Sequence, residues 1–125
     1  MENINISSFD PLIKPNVLRV TFPSTARISN LVLNTRKEVS EIISGKSKKK
    51  LFIVGPCSIH NIDQAFEYGK KLKIIADFVK DKILIIMRVY FEKPRTIAGW
   101  KGLINDPDMN GSFNVNKGLH HARKL

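Results

Sequence analysis

The sequence predicts an α/β fold centred on a βαβ unit. Two short apolar runs, Leu51–Val54 and Ile83–Tyr90 (ILIIMRVY), read as strands. Between them Ala65, Phe66, Gly69, Leu72, Ile75, Ala76 and Val79 recur at helical spacing and mark the inner stripe of a helix. Strand, helix and strand together take about 40 residues, the size expected of such a unit. The second run is almost unbroken in its apolarity, as a parallel strand covered on both faces requires.

Taken in order, Met1–Pro23 has scattered prolines (Pro11, Pro15, Pro23) and no sustained period, and reads as an irregular arm. A helix follows, because Ile28, Leu31, Val32, Thr35, Val39, Ile42 and Ile43 share one face. Ser24 or Thr25 can cap its start, and Gly45 stands where a helix terminates. Its stripe calls for a covering surface, such as a partner subunit. After the first strand, Gly55-Pro56 turns the chain, and Asn61 and Asp63 suit the first turn of the central helix. Phe91–Phe113 reads as a long Gly- and Pro-containing loop. Asn114 or Asn116 then caps a last helix whose inner face holds Leu119, Ala122 and Leu125. Two parallel strands leave both sheet edges open, and these helices cannot cover both faces. The stretch therefore reads as an N-terminal fragment of a larger α/β enzyme.

The chain has 125 residues and a mass of 14.2 kDa, enough for one domain or part of one. Hydrophobic residues make up 42%, too many for a disordered chain. A single Cys excludes an internal disulfide framework and makes a reduced, cytoplasmic setting the default. No apolar run approaches the roughly 20 residues of a membrane span, and Met1–Ser8 has no basic cluster ahead of an apolar core, so no signal peptide is read there. The net charge of +10 raises the question of nucleic acid. Much of it, however, lies in Lys46, Lys48, Lys49 and Lys50, a solvated connector between helix and strand. No zinc spacing or aromatic strand pattern accompanies the charge, so neither a nucleic-acid nor a membrane partner is expected.

Chemistry in α/β folds gathers at the carboxyl ends of parallel strands. One cluster there is Gly55-Pro56-Cys57-Ser58-Ile59-His60; the other holds Arg88, Lys93, Arg95 and Lys101. Four cations in short reach of a strand end form either a pocket for an anionic, phosphorylated metabolite or a solvated basic loop; their position favours the pocket. Pro94 stiffens the backbone between two of them. Cys57 is open to three readings: a metal-ligating thiolate, a nucleophile or an inert core residue. His60 lies close to it in sequence, whereas His120 and His121 are far along, so a metal site from this chain alone is incomplete. Trp100 reads as an anchor for loop packing.

At these residues the chain resembles a known family. GPCSIH at Gly55–His60, MRVYFEKPRT at Met87–Thr96 and GWKGLINDPDMNGS at Gly99–Ser112 are similar to 3-deoxy-D-arabino-heptulosonate 7-phosphate (DAHP) synthase of the feedback-regulated type. The likeness runs from about Leu51 to Leu125, is weaker over the Pro23–Gly45 helix, and in Asp106–Ser112 leans towards the tryptophan-sensitive isozyme. The resemblance implies a (β/α)8 TIM barrel with an N-terminal helical extension. Residues 1–50 would be the extension, an arm and helix for subunit contact and regulation. Residues 51–125 would be the first two barrel strands and the first helix. The implied activity is condensation of phosphoenolpyruvate with D-erythrose 4-phosphate to DAHP and phosphate, the first step towards aromatic amino acids. Also implied are a divalent metal ion, a homo-oligomer, and an aromatic amino acid as inhibitor, tryptophan among the candidates.

By the same resemblance Cys57 is a metal ligand, Arg88 binds phosphoenolpyruvate, Lys93 lies between the two substrates, and Arg95 with Thr96 holds the sugar phosphate. Lys93 is also the candidate catalytic proton donor. The family's remaining metal ligands, a His, a Glu and an Asp, fall beyond Leu125, and His120 and His121 are not their counterparts. An isolated 125-residue chain is therefore expected to be inactive. Two other classes stand beside the enzyme: a non-catalytic anion-binding or interaction module, and a small basic nucleic-acid binder.

Overall fold

The computed structural model describes residues 9–92 and 99–125. Its elements in chain order are α1 (Pro15–Thr21), α2 (Ala26–Ile43), β1 (Lys50–Val54), α3 (Ile62–Val79), β2 (Ile83–Met87) and α4 (Val115–Lys124). The two strands pair in parallel, with Lys50 opposite Ile83 and Val54 opposite Met87, so the central unit is the expected βαβ.

The helices start where local chemistry lets them. Thr25 caps α2 by accepting a hydrogen bond from the Ile28 N–H at 3.2 Å, Asn61 caps α3 through Gln64, and Asn114 caps α4 through Lys117. The end of α2 is equally defined. Lys46 N–H donates to Glu41 O and Gly45 N–H to Ile42 O, the paired bonds of a Schellman turn. That turn needs a left-handed residue, and Gly45 supplies it at φ 74°.

Three expectations change. The arm is not wholly irregular, because α1 lies within it: Pro15 occupies the first helical turn, where a proline has no hydrogen bond to lose. A proline that interrupts a period can equally begin a helix. The strands are also less enclosed than their apolar runs imply. Phe52 and Ile53 are 49% and 60% exposed, and β2 is half-buried along its length. Ordered strand pairing stops at Met87, three residues short of the apolar run's end. Finally, Ile75 on the expected inner stripe of α3 is 54% exposed, while Ala65, Phe66, Gly69, Leu72, Ala76 and Val79 are buried or half-buried. The helix α2 touches β1 but has no buried residue; its half-buried positions lie in its carboxyl half, and Leu31 and Val32 are exposed.

Burial concentrates beyond the carboxyl ends of the strands. Ile59, Ala65 and Leu103 are at most 4% exposed, with Ile62, Val89, Phe91, Trp100 and Leu125 packed around them. Burying a side chain such as Leu103 contributes about 2 kcal/mol. Trp100 anchors the loop as expected, donating from Nε1 to Asp106 O at 2.6 Å. Buried Asp106 organises the following turn, since its Oδ2 accepts from Gly111 N–H and its own N–H donates to Gly102 O. The arm is tied down by α4: Arg123 Nη2 donates to Phe22 O, and Asn116 bonds Pro11 and Ile13.

Candidate functional site

Beyond β1 the chain runs Gly55-Pro56-Cys57-Ser58-Ile59, and beyond β2 it runs Arg88-Val89-Tyr90-Phe91-Glu92. Backbone bonds join the two segments after the strands end. Arg88 N–H donates to Val54 O at 2.7 Å, and Ile59 N–H donates to Tyr90 O at 2.8 Å. The approach is close enough that a Cβ at Gly55 would collide with the Arg88 carbonyl, so glycine is required there.

The Arg88 side chain reaches over the same turn. Its Nη2 donates to Gly55 O at 2.9 Å and Pro56 O at 3.2 Å, and its guanidinium lies 5.0 Å from the centre of the Tyr90 ring. Its Nε is buried and has no hydrogen-bond partner among the described residues. A buried donor on a charged group is costly to leave unpaired, and such a group marks a place where an acceptor belongs. Cys57 is the residue after this grip, a free and exposed thiol. In this stretch the Cys57 thiol is therefore open to water, at the end of the sheet where the Gly-Pro turn carries it.

Among the described residues no three His, Cys, Asp or Glu side chains gather closely enough to hold a metal ion. Cys57 offers one accessible soft donor, so it fits as a single ligand of a divalent ion and not as a complete site. His60 is exposed and lies apart from that role, in a cavity of about 330 Å³ shared with Asn61, Asp63, His121 and Lys124. Lys93, Arg95 and Thr96 lie outside the described residues. Lys101 is half-buried beside Gly102.

Two side chains at this end were not legible in the sequence. Tyr90 supplies the ring beside Arg88. Glu92 clamps the next turn: its Oε1 accepts from the Ile104 and Asn105 N–H groups, its Oε2 from Asn105 Nδ2, and its backbone bridges Gly102. Its partners lie 12 and 13 residues away, beyond any local pattern.

Residues 24–123 match the model of the DAHP synthetase I family. The chain belongs to that family. Its relatives include the tyrosine-inhibited phospho-2-dehydro-3-deoxyheptonate aldolase of Candida albicans, 47% identical over 99% of this chain, and the Tyr-sensitive enzyme of Escherichia coli K12, 46% identical over all of it. The Trp-sensitive enzyme of Escherichia coli K12 is 42% identical. A solved phospho-2-dehydro-3-deoxyheptonate aldolase from Francisella tularensis superposes with a TM-score of 0.91 over 96% of this chain, at 48% identity. The chain spans about a third of the length of these family members: 34% and 35% of the first two relatives and 35% of the solved structure. Relatives named for sensitivity to tyrosine, phenylalanine and tryptophan match at 41–47% identity, so the tryptophan-sensitive forms are among several inhibitor classes in the family.

Proposed function

We propose that this chain forms the phosphoenolpyruvate and metal side of a DAHP synthase site, within a (β/α)8 barrel that condenses phosphoenolpyruvate with D-erythrose 4-phosphate. Residues 1–50 are its helical extension, for subunit contact and binding of an aromatic amino acid inhibitor; residues 51–125 open the barrel. Among the described residues no helix is long and apolar enough to cross a membrane, and the reading places the enzyme in the cytoplasm. The observation that carries the proposal is Arg88, held at the strand mouth with a buried, unpaired Nε, one residue past the paired end of β2 and bonded to the residue before Cys57.

In this reading Arg88 receives an anionic group of phosphoenolpyruvate on the guanidinium donors not given to the Gly55 and Pro56 carbonyls. Arg95 and Thr96 hold the phosphate of erythrose 4-phosphate, and Lys93 stands between the two. The basic side chains hold two mutually repelling anions in one place, which lowers the barrier by positioning as well as by charge. A divalent ion with Cys57 among its ligands supplies, when bound, Lewis-acid polarisation of the aldehyde. Carbon 3 of phosphoenolpyruvate attacks the aldehyde carbon, and the oxygen that becomes an alkoxide takes a proton from the Lys93 ammonium. Water adds at carbon 2, and loss of inorganic phosphate leaves the ketone. The ion's remaining ligands come from other parts of the polypeptide.

The test is product formation by the native polypeptide with a divalent metal. Phosphate release should require both substrates and match DAHP formed one for one. Lys93→Met should lower kcat by about 100-fold or more, in the range of a lost general acid. Unchanged turnover in Lys93→Met would remove the proton-donor role, and the absence of any condensation would overturn the proposal.

A further inference from the structure

We infer that Arg88 is a positioning residue for the Cys57 thiol, so that one guanidinium serves both the anion and the metal-binding turn. The inference rests on the reading of Cys57 as a metal ligand. The turn Gly55–Ile59 leans on the neighbouring segment, where Ile59 N–H donates to Tyr90 O. Among the described residues Arg88 ties this turn at three points, with its backbone N–H to Val54 O and with Nη2 to the Gly55 and Pro56 carbonyls. Those carbonyls belong to the two residues immediately before Cys57, so their orientation fixes where the Cys57 backbone begins. The grip is charge-assisted, and the Tyr90 ring beside the guanidinium limits its sway. Gly55 permits the turn to lie directly on Arg88. Such a partner acts on a ligand from one step behind it, and losing one typically weakens metal affinity about 10- to 100-fold.

The consequence is that losing Arg88 weakens metal binding with no substrate present, whereas losing a purely anion-binding arginine only removes a charge that repels the ion. The test uses the native polypeptide stripped of metal and titrated with Co²⁺, reading the thiolate-to-cobalt charge-transfer band. Wild type should show the band, and Cys57→Ser should lose it. Arg88→Met should raise the Co²⁺ Kd by about 10- to 100-fold with an unchanged far-ultraviolet circular dichroism spectrum. Arg88→Lys keeps the charge and loses the fork, and should show a smaller rise of several-fold, which electrostatics alone does not produce. If Arg88→Met fails to fold, Arg88→Lys decides: a several-fold rise supports the inference, and wild-type affinity overturns it. A wild-type Kd and band in Arg88→Met overturn it with the metal role of Cys57 left standing. A wild-type band that is absent, or that survives in Cys57→Ser, overturns the metal role and the inference together.

Discussion

The carboxyl ends of β1 and β2 and the sheet they extend are finished to different degrees. At the strand mouths Ile59 and Leu103 are 2% and 1% exposed, and Arg88, Trp100, Glu92 and Asp106 stitch neighbouring segments together through hydrogen bonds. Across the sheet and its helices, Phe52, Ile53, Ile74 and Phe78 stand between 49% and 89% exposed. The stretch thus encloses its own loop end while its strand and helix faces keep apolar surface open to water, at an unfavourable free energy that grows with the exposed area. The scaffold for Cys57 and Arg88 is encoded within these residues, whereas the sheet depends on further structure, in our proposal the rest of the barrel.

The sharpest way to break this contrast is a pair of truncations measured in the native polypeptide. Leu103→Ala should destabilise by about 2–5 kcal/mol, because it removes a fully buried side chain from the loop end. Phe78→Ala should cost about 3 kcal/mol if other structure covers that face, and within about 0.5 kcal/mol if it faces water as it does in this stretch alone. Denaturant melts of both variants check the pair, and a mild effect at Leu103 would contradict the account of the loop end.

The sequence was most informative where a signal is local. The two parallel strands, the central helix and its cap Asn61 follow from period and from a side chain that bonds its own helix, and of the paired cap candidates the structure uses Thr25 and Asn114. It was least informative where partners are distant. Nothing near Pro15 distinguishes a helix start from a break, and the apolarity of Leu51–Val54 says that a strand is meant for burial without saying what buries it. At the site, position in the fold placed Cys57 and Arg88 at the strand mouths in advance. The roles of Tyr90 and Glu92 were hidden, since each is defined by a neighbour's position and not by a motif.

The smallest expected effect lies on the outer face of α3, far from either end. Lys71 hydrogen-bonds Glu67 one turn earlier, and that bond, with the attraction of its charge, holds the Glu67 carboxyl below its usual range. A lowered carboxyl favours the folded state above the ordinary carboxylate pKa, and the contribution disappears as pH falls through the lowered value. Both side chains are exposed, so water and salt screen the pair. Lys71→Met should leave the denaturation midpoint at pH 7 unresolved from wild type; a clear loss there would mean that this face is covered in the native polypeptide.

The central claim is that this chain carries one metal ligand and one anion clamp of a DAHP synthase site. It is tested most directly by the metal-dependent condensation rate of the native polypeptide with and without Cys57→Ser. The account predicts that wild type forms DAHP from phosphoenolpyruvate and erythrose 4-phosphate and that the Cys57→Ser variant, folded, loses at least about 100-fold of that rate at limiting metal. Wild-type turnover in the Cys57→Ser variant, with the same dependence on metal concentration, would contradict it.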